Sequence, residues 1–281
     1  MRFLRIATLL ATALSPAGIS ATPEEIVLSL RPSGAVRVPV GINGRGPFVF
    51  LLDTGSSHST VSREIVDRLA LPVVAKARVS TPAGAQMQLI VRTGRVAIGN
   101  ASLEGLMPSV VSLSELRELE PGIDGVIGQD LLRLFDFTID YRRKRLLWTA
   151  EPGDERARLP LIRAGDRSLV QLPGRRRGAP VLMVPDSGSE GFVIFERNGR
   201  TAVDVDYPDQ VVEVTALGMR QVARGAVLRE LQVGAVTLRN RPAVVLVREG
   251  SSAVEPDGLM PLHSFSSVAF NNSEGYLVVG K

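Results

Sequence analysis

Hydrophobic residues occur along most of this chain in short runs separated by polar, glycine or proline residues. The runs Val36 to Val40 and Phe48 to Leu52 flank Asn43-Gly44, a dipeptide typical of the tight turn between antiparallel strands. Further strand-like runs are Val74 to Val79, Gln86 to Val91 and Val96 to Val110. Helical periodicity is rare, although Ser62 is a good N-cap for one short helix and Gly128 precedes another. The pattern predicts a mainly β protein.

This pattern occurs twice. The segment from Pro47 to Ser56 resembles the one from Pro180 to Ser189, and Asp124-Gly-Val-Ile resembles Asp257-Gly-Leu-Met, with paired positions 133 residues apart. An internal repeat on this scale predicts two similar lobes. The polar, turn-rich stretch 150–155 is the predicted junction, which gives lobes of residues 22–152 and 153–281.

Each copy contains an apolar strand that ends in the same type of tetrapeptide. The two are Asp53-Thr54-Gly55-Ser56 and Asp186-Ser187-Gly188-Ser189. One such tetrapeptide is also typical of an ordinary β-turn. A turn alone does not explain two copies at equivalent positions, each followed 71 residues later by Asp-Gly and two apolar residues.

With these motifs the sequence resembles the aspartic peptidases of the pepsin and retroviral-protease type. The resemblance implies two retropepsin-like β lobes with a cleft between them, in the single-chain arrangement of pepsin. It implies that Asp53 and Asp186 are the catalytic pair, which activates a water molecule without a metal or a cofactor. It also implies that apolar residues pack behind the pair, here Val126, Ile127 and Gly128 in the first lobe and Leu259 and Met260 in the second.

The resemblance also assigns roles to the other motif residues. Thr54 and Ser187 would hydrogen-bond across the pair, and the neighbouring glycines, Gly55 and Gly188, permit close backbone approach. The hydroxyls of Ser56 and Ser189 would donate to the outer carboxylate oxygens. Because such donors favour the ionised form, they predict a lowered pKa and an acidic activity optimum.

A flap hairpin over the cleft is expected about thirty residues after Asp53. The candidate is the segment from Ser80 to Ala85, with Thr81, Pro82, Ala83 and Gly84 at its tip. This segment lacks the tyrosine that pepsin-like enzymes have there, and Pro and Gly also suit an ordinary loop.

The second lobe departs from the pattern at two prolines. Pro185 precedes Asp186 where the first lobe has Leu52, and a proline has no N–H to donate to a sheet. Pro261 stands where the first lobe has Gly128. These departures put the packing behind Asp186 in doubt, and they leave open whether the second lobe is catalytically competent.

Residues 1–21 are typical of a signal peptide. Arg2 and Arg5 precede the apolar run from Ile6 to Leu14, and small residues follow near Ala21. The alternative is a membrane anchor, but this run is far shorter than the roughly 20 residues that a spanning helix needs. We therefore expect an exported protein, periplasmic or extracellular, without stable membrane insertion.

Composition narrows the chemistry further. The chain has no cysteine, which excludes thiol catalysis and zinc–thiolate sites. The basic clusters 142–145 and 175–177 suggest either a nucleic-acid patch or solvated hairpin tips. We favour hairpin tips, because no interleaved aromatic residues accompany the clusters.

The two histidines do not extend the candidate chemistry. His58 and His263 occupy non-equivalent positions, and no Gly-x-Ser-x-Gly elbow is present, so a serine-hydrolase triad is not indicated. Asp136 and Asp140 lack a partner histidine, and no metal site is predicted.

Three hypotheses remain. The first is a monomeric endopeptidase acting on polypeptides, and the second is a catalytically silent two-lobed protein that binds peptides. The third is a dimer in which the first lobes of two chains form the catalytic pair. Retention of both Asp53 and Asp186 favours the first.

Overall fold

The computed structural model describes residues 25–31, 34–81, 84–112, 114, 121–151, 157–174, 180–208, 210–216, 219–248 and 255–281. The predicted signal peptide, the junction at 152/153 and the basic cluster 175–177 lie outside these residues. The described residues are mainly strand, as the sequence pattern predicts. Their helices are α1 (Arg63–Leu69), α2 (Gln129–Leu132) and a 3₁₀ helix (Leu262–Ser264). None of these helices is long and apolar enough to span a membrane.

The strands divide between the two halves of the chain. Those of the first half are β1 (Glu25–Val27), β2 (Ser29–Leu30), β3 (Val36–Ile42), β4 (Arg45–Leu52), β5 (Thr60–Ser62), β6 (Val73–Thr81), β7 (Gly84–Val91), β8 (Arg95–Ile98), β9 (Ala101–Glu104), β10 (Ser109–Val111), β11 (Gly125–Ile127), β12 (Phe137–Asp140) and β13 (Arg145–Leu147). Those of the second are β14 (Leu159–Ala164), β15 (Arg167–Leu172), β16 (Val181–Asp186), β17 (Phe192–Glu196), β18 (Val205–Asp206), β19 (Val211–Ala216), β20 (Met219–Val233), β21 (Val236–Val247), β22 (Gly258–Pro261), β23 (Ser267–Asn271) and β24 (Tyr276–Val279).

Two local predictions are confirmed at the residues that carry them. Asn43 and Gly44 have φ angles of 52° and 72° and form the turn between β3 and β4. This turn needs a left-handed backbone at both positions, which Asn and Gly tolerate best. Ser62 caps α1, and its side chain accepts a hydrogen bond from the N–H of Ile65 at 3.3 Å.

The strand that carries each aspartate has the same surroundings in both lobes. In the first lobe β4 lies between the antiparallel β3 and the parallel β11, and in the second β16 lies between β15 and β22. Gly125 pairs with Phe50, and Gly258 pairs with Met183, so the register is identical at an offset of 133. The sequence repeat is therefore also a structural repeat.

A sheet shared by the two lobes joins them. Its strand order is β1-β13-β12-β23-β24-β14, and the central pair β12 and β23 aligns Phe137 with Phe270. The two rings stack with centroids 4.6 Å apart. One large core of buried aliphatic and aromatic side chains includes residues of both lobes. The lobes are thus held together by main-chain pairing as well as by packing.

Candidate active site

The two motif turns meet between the lobes and bind each other through a reciprocal set of hydrogen bonds. The N–H of Thr54 donates to Ser187 Oγ, and the N–H of Ser187 donates to Thr54 Oγ1, both at 3.0 Å. The Thr54 hydroxyl donates to the carbonyl of Pro185, and the Ser187 hydroxyl donates to the carbonyl of Leu52, both at 2.7 Å. Both hydroxyl-bearing side chains are buried. The arrangement is that expected for Thr54 and Ser187.

The proline before Asp186 fits this arrangement. Only the carbonyl of Pro185 is used in the contact between the turns, and proline retains its carbonyl. The ladder between β16 and β22 continues past it, with Pro185 opposite Met260 and Asp186 opposite Pro261. Pro185 therefore does not displace Asp186.

Each motif glycine lies against the carboxyl group of the opposite lobe. A Cβ added at Gly55 would lie 2.4 Å from Cγ of Asp186, and one at Gly188 would lie 2.7 Å from Cγ of Asp53. No side chain fits in that space. The absence of a Cβ at these two positions is what lets the two carboxyl groups approach each other across the lobe boundary.

Asp186 is buried and Asp53 is half-buried, and both carboxyl groups accept backbone hydrogen bonds. Asp53 Oδ1 accepts from the N–H groups of Gly55 at 2.9 Å and Ser56 at 3.1 Å, and Asp186 Oδ1 accepts from Gly188 at 2.8 Å. Burial raises the pKa of Asp53. Burial raises the pKa of Asp186 well above its usual range, and the charge of Asp53 raises it further. Two such groups side by side favour a state that holds one shared proton.

The predicted roles of the serine hydroxyls are wrong. The Ser56 hydroxyl donates to the carbonyl of His58 at 2.8 Å, and the Ser189 hydroxyl donates to the carbonyl of Gly191 at 2.7 Å. Each hydroxyl has one proton, and a carbonyl two residues along the same turn takes it. The main-chain N–H of Ser56, not its side chain, reaches Asp53. The serine hydroxyls therefore do not lower the pKa of either aspartate.

The repeated Asp-Gly pairs have a structural role behind the motif strands. Asp124 Oδ2 accepts from the N–H of Val49 at 2.9 Å, and Asp257 Oδ2 accepts from that of Leu182 at 2.8 Å. A Cβ at the next residue would lie 2.4 Å from the carbonyl oxygen of Thr60 in the first lobe and 2.2 Å from that of Val193 in the second. The aspartates bind the motif strands, and the glycines allow the neighbouring strand to approach.

The residues predicted to pack behind the pair divide between two faces, and only some of them lie behind it. Ile127 and Met260 are buried in the main core, and the Ile127 carbonyl accepts the N–H of Asp53 at 2.9 Å. Val126 and Leu259 face the other way and line the cavity between the lobes. Gly128 has an extended backbone, and its need for glycine is spatial, since a Cβ would lie 2.7 Å from the carbonyl carbon of His58.

Polar support for the first turn is a feature that sequence reasoning missed. Gln129 is buried, its Nε2 donates to the carbonyl of Thr54 at 2.8 Å, and its Oε1 accepts from Ser168 Oγ at 3.2 Å. Gln129 thus connects the turn of Asp53 to a strand of the second lobe. The equivalent residue of the second lobe is the apolar Leu262. The available signal was a glutamine at the position where the second copy of the repeat has Leu262.

A buried tyrosine near the pair was also missed. The hydroxyl of Tyr141 is buried at the end of β12 and has no hydrogen-bond partner among the described residues. Burial raises its pKa, and the charge of Asp186 raises it further. Tyr141 therefore remains un-ionised and adds no charge beneath the pair.

A cavity of about 1010 Å³ lies over the two carboxyl groups and is lined by both lobes. Val79 of β6 lines it, so the hairpin of β6 and β7 borders the cavity. At the predicted flap, Thr81 pairs with Gly84 in the backbone ladder. Pro82 and Ala83 lie outside the described residues.

The other polar candidates have local contacts of their own and do not contact the carboxyl pair. His58 is exposed and lies 3.6 Å from Asp166, and His263 packs against Gly34. Asp140 pairs with Arg143 and Arg145 of the first basic cluster. Among the described residues, no group of three or more His, Asp or Glu side chains is arranged to hold a metal ion.

Comparison with known proteins agrees with the geometry of the first lobe. The sequence model of the family described as "Aspartyl protease" matches residues 38–131, which include Asp53 and the segment behind it. The matched segment lies entirely within the first lobe. The chain as a whole is mainly β and two-lobed. The family match ends before the second lobe. The pairing of Asp186 with Asp53 therefore rests on the sequence repeat and on the positions of the two residues in the structure.

Solved structures include a similar protein. It is a retropepsin-like aspartic protease from Rickettsia conorii, with 20% sequence identity. The similarity covers 46% of this chain and 94% of that protein, with a TM-score of 0.33. No curated protein sequence matches the chain.

Proposed function

We propose that this protein is an aspartic endopeptidase whose two lobes each contribute one catalytic carboxylate, Asp53 and Asp186. The observation that carries the proposal is the reciprocal contact between the two turns, in which each motif glycine lies against the opposite carboxyl group. The cavity above the pair is lined by residues of both lobes and is large enough for several residues of an extended peptide.

The chemistry follows from one shared proton. The ionised carboxylate takes a proton from a water molecule, and the resulting nucleophile attacks the scissile carbonyl carbon. The protonated carboxyl donates a hydrogen bond to the carbonyl oxygen, where negative charge develops. Breakdown of the tetrahedral intermediate transfers a proton to the leaving amine and restores the pair. The peptide is cut without a covalent intermediate on the enzyme.

The surroundings of the two carboxyls favour unequal roles. Burial and the charge of Asp53 both raise the pKa of Asp186, so Asp186 is proposed to hold the proton. The pKa of Asp53 is also raised by burial, and backbone N–H donors oppose the shift at both groups, so the charge of Asp53 acting on Asp186 is what distinguishes them. We therefore assign water activation to Asp53 and carbonyl polarisation to Asp186.

These pKa directions revise the expected pH dependence. Activity requires one proton on the pair, so the rate falls on the acid side when both groups are protonated and on the basic side when neither is. Because both pKa values are raised, the acid limb and the basic limb of the pH–rate profile both move to higher pH. The acid limb is expected to have its midpoint above 3.8, the ordinary aspartate value. A pH–rate profile on a peptide substrate measures this directly.

The proposal includes a single-chain active site and an exported location. Within one chain the turns of Asp53 and Asp186 already bind each other, and the shared sheet fixes their relative position. This arrangement supports a pair that is completed within one chain. Export to the periplasm or medium rests on the predicted signal peptide alone.

The test is cleavage of an unfolded protein between pH 3 and 7. Wild type is expected to cut, and Asp53→Asn and Asp186→Asn are each expected to lose at least about a thousandfold in rate, since each removes one half of the acid–base pair. If wild type and both variants are equally inert while an unfolded chain still binds, the silent peptide-binding alternative is correct.

A further inference from the structure

The two walls of the cleft differ in polarity at equivalent positions. On the first-lobe wall Thr60 and Ser109 are direct neighbours on the parallel strands β5 and β10, and both line the cavity. Gln88 lies on β7, two residues before Ile90, which pairs with Ser109. Because side chains two apart on a strand share a face, Gln88 is on the same face as the two hydroxyls. We call Gln88, Ser109 and Thr60 the polar row.

The polar groups of the row lack partners. Thr60 Oγ1, Ser109 Oγ and both amide atoms of Gln88 are buried and have no hydrogen bond to any described residue. The exposed fractions of these residues are only 2%, 1% and 6%. A buried polar group without a partner destabilises a fold, and native proteins contain few of them. Four such atoms together therefore need a reason other than stability.

The second lobe shows that the fold itself does not require polar residues here. The equivalent parallel pair on β17 and β21 is Val193 and Val244, both of which line the cavity. The position equivalent to Gln88 is Ala223, in the same apolar cluster as Val193. The same backbone arrangement is thus built with apolar side chains in one lobe and with hydrogen-bonding side chains in the other.

We propose that the polar row is a substrate-recognition subsite that selects a neutral hydrogen-bonding side chain, specifically the carboxamide of asparagine or glutamine. The inference rests on the proposed peptidase function and specifies the substrate class of that site. Hydroxyls and an amide supply both donors and acceptors, and a carboxamide is the side-chain group that uses both. A charged side chain would lose its hydration without meeting an opposite charge in the row.

The neighbours of the row strengthen this selection. Leu51 and Val126 line the cavity beside Thr60, so the subsite has an apolar border. An apolar substrate side chain of the same size would leave all the polar atoms of the row unpaired. Sites that are built to hydrogen-bond a substrate group discriminate strongly against analogues that lack it. The opposite wall, with Val193 and Val244, is expected to take an apolar side chain.

The experiment measures binding, so that it does not depend on turnover. Calorimetry on Asp53→Asn protein compares peptides that carry Asn or the similarly shaped Leu at each position around the expected cleavage point. At one position Asn is expected to bind at least about tenfold more tightly than Leu. In Thr60→Val/Ser109→Ala on the same background, this preference is expected to fall below about twofold while Leu peptides still bind.

Thermal unfolding excludes a trivial loss of structure. Thr60→Val removes an unpaired hydroxyl and is expected to leave the melting temperature unchanged or raised. The matched control is Thr93→Val, outside the cleft, because the buried Thr93 hydroxyl donates to the carbonyl of Leu106 at 2.9 Å. This control is expected to lower the melting temperature and to leave the Asn preference intact.

The outcomes separate the two levels of the proposal. If no position distinguishes Asn from Leu, if no peptide binds, or if the preference survives in the double variant, the subsite is overturned. Cleavage by the wild type is scored separately. Cleavage without Asn selectivity contradicts only the subsite, and selective binding without any cleavage contradicts only the peptidase function.

Discussion

The turns of Asp53 and Asp186 follow equivalent backbone paths but are supported by different chemistry. Behind the first turn, Ser59 Oγ donates to Asp130 at 2.6 Å and accepts the N–H of Gly128 at 3.0 Å, and Gln129 binds the Thr54 carbonyl. Behind the second turn the positions equivalent to Ser59 and Gln129 are Phe192 and Leu262, both fully buried. The first turn is supported by hydrogen bonds, and the second is supported by apolar packing.

This difference shows what the repeat conserves. Main-chain register, the reciprocal contact between Thr54 and Ser187, and the two motif glycines are common to both lobes. The side chains that hold the turns from behind are not. Pro261 illustrates the distinction, because the extended backbone at that position suits proline, and Phe192 stands where Ser59 accepts the N–H of Gly128 in the first lobe. Placement of the carboxylates therefore depends on shared backbone geometry, which either kind of support can maintain.

The largest effect is expected from the glycines that both lobes share. Gly55→Ala places a Cβ 2.4 Å from Cγ of Asp186, which must move, and a displacement of about 1 Å at a reacting group costs on the order of a hundredfold in rate. Gly188→Ala is expected to act in the same direction with a smaller effect, since its Cβ would lie 2.7 Å from Asp53. Values of kcat/KM check both.

Gly191→Ala is the matched control for this pair. It lies near the second motif, and its added Cβ would meet nothing closer than the carbonyl oxygen of Pro242 at 3.8 Å. Activity is expected to stay within about twofold of wild type. Equal losses in all three variants would show that glycine flexibility, and not close approach, is what the site requires.

An intermediate effect is expected from exchanging the supports of the two lobes. Gln129→Leu leaves the Thr54 carbonyl without its side-chain donor, and Leu262→Gln places a polar amide where a fully buried apolar side chain packs. Each exchange is expected to lower the free energy of unfolding by about 1–3 kcal/mol. Urea denaturation measures both. If either exchange left the free energy of unfolding unchanged, that result would contradict the view that each turn depends on its own kind of support.

The smallest effect is a pH-dependent gain in stability from removing a carboxylate. Because the folded pair has raised pKa values, wild type takes up a proton on folding between the unfolded and folded values, and its stability falls as pH rises through that window. Asp186→Asn avoids this uptake. It is expected to gain on the order of 1 kcal/mol at neutral pH and to lose that advantage below pH 3.8.

Asp53→Asn is the comparison variant in the same melts. It is expected to gain less, because burial still raises the pKa of the remaining Asp186 after the charge of Asp53 is gone. Thermal melts at neutral and acid pH measure the difference. An advantage that persists unchanged at low pH would mean that the gain comes from packing and not from protonation.

Much of the fold could be predicted because its signals are local or repeated. Asn43-Gly44 specifies a turn by its dihedral preference, and the 133-residue repeat specifies two lobes and brings Asp53 and Asp186 into equivalent positions. The sheet shared by the lobes was missed, because nothing in the local pattern indicates that Phe137 pairs with Phe270. Such pairing depends on how the two lobes meet.

The site was predictable to the extent that its residues adjoin the motif. The contact of Thr54 with Ser187 matched the expectation. Ser56 was assigned to the wrong partner, because a hydroxyl in a tight turn can reach either a carboxylate or a nearby carbonyl, and only coordinates distinguish them. The polar row was missed because Gln88 and Ser109 lie on strands, and the alternation of side chains along a strand does not specify whether an inward-facing position is polar or apolar.

The most direct test of the account is the rate constant kcat/KM of Asp186→Asn relative to wild type, measured across a hundredfold range of protein concentration. A single-chain site made by both lobes predicts at least about a thousandfold loss at every concentration, and a wild-type specific activity that does not change on dilution. Near-wild-type activity in Asp186→Asn that falls on dilution would contradict the account, because it would place the catalytic pair between the first lobes of two chains.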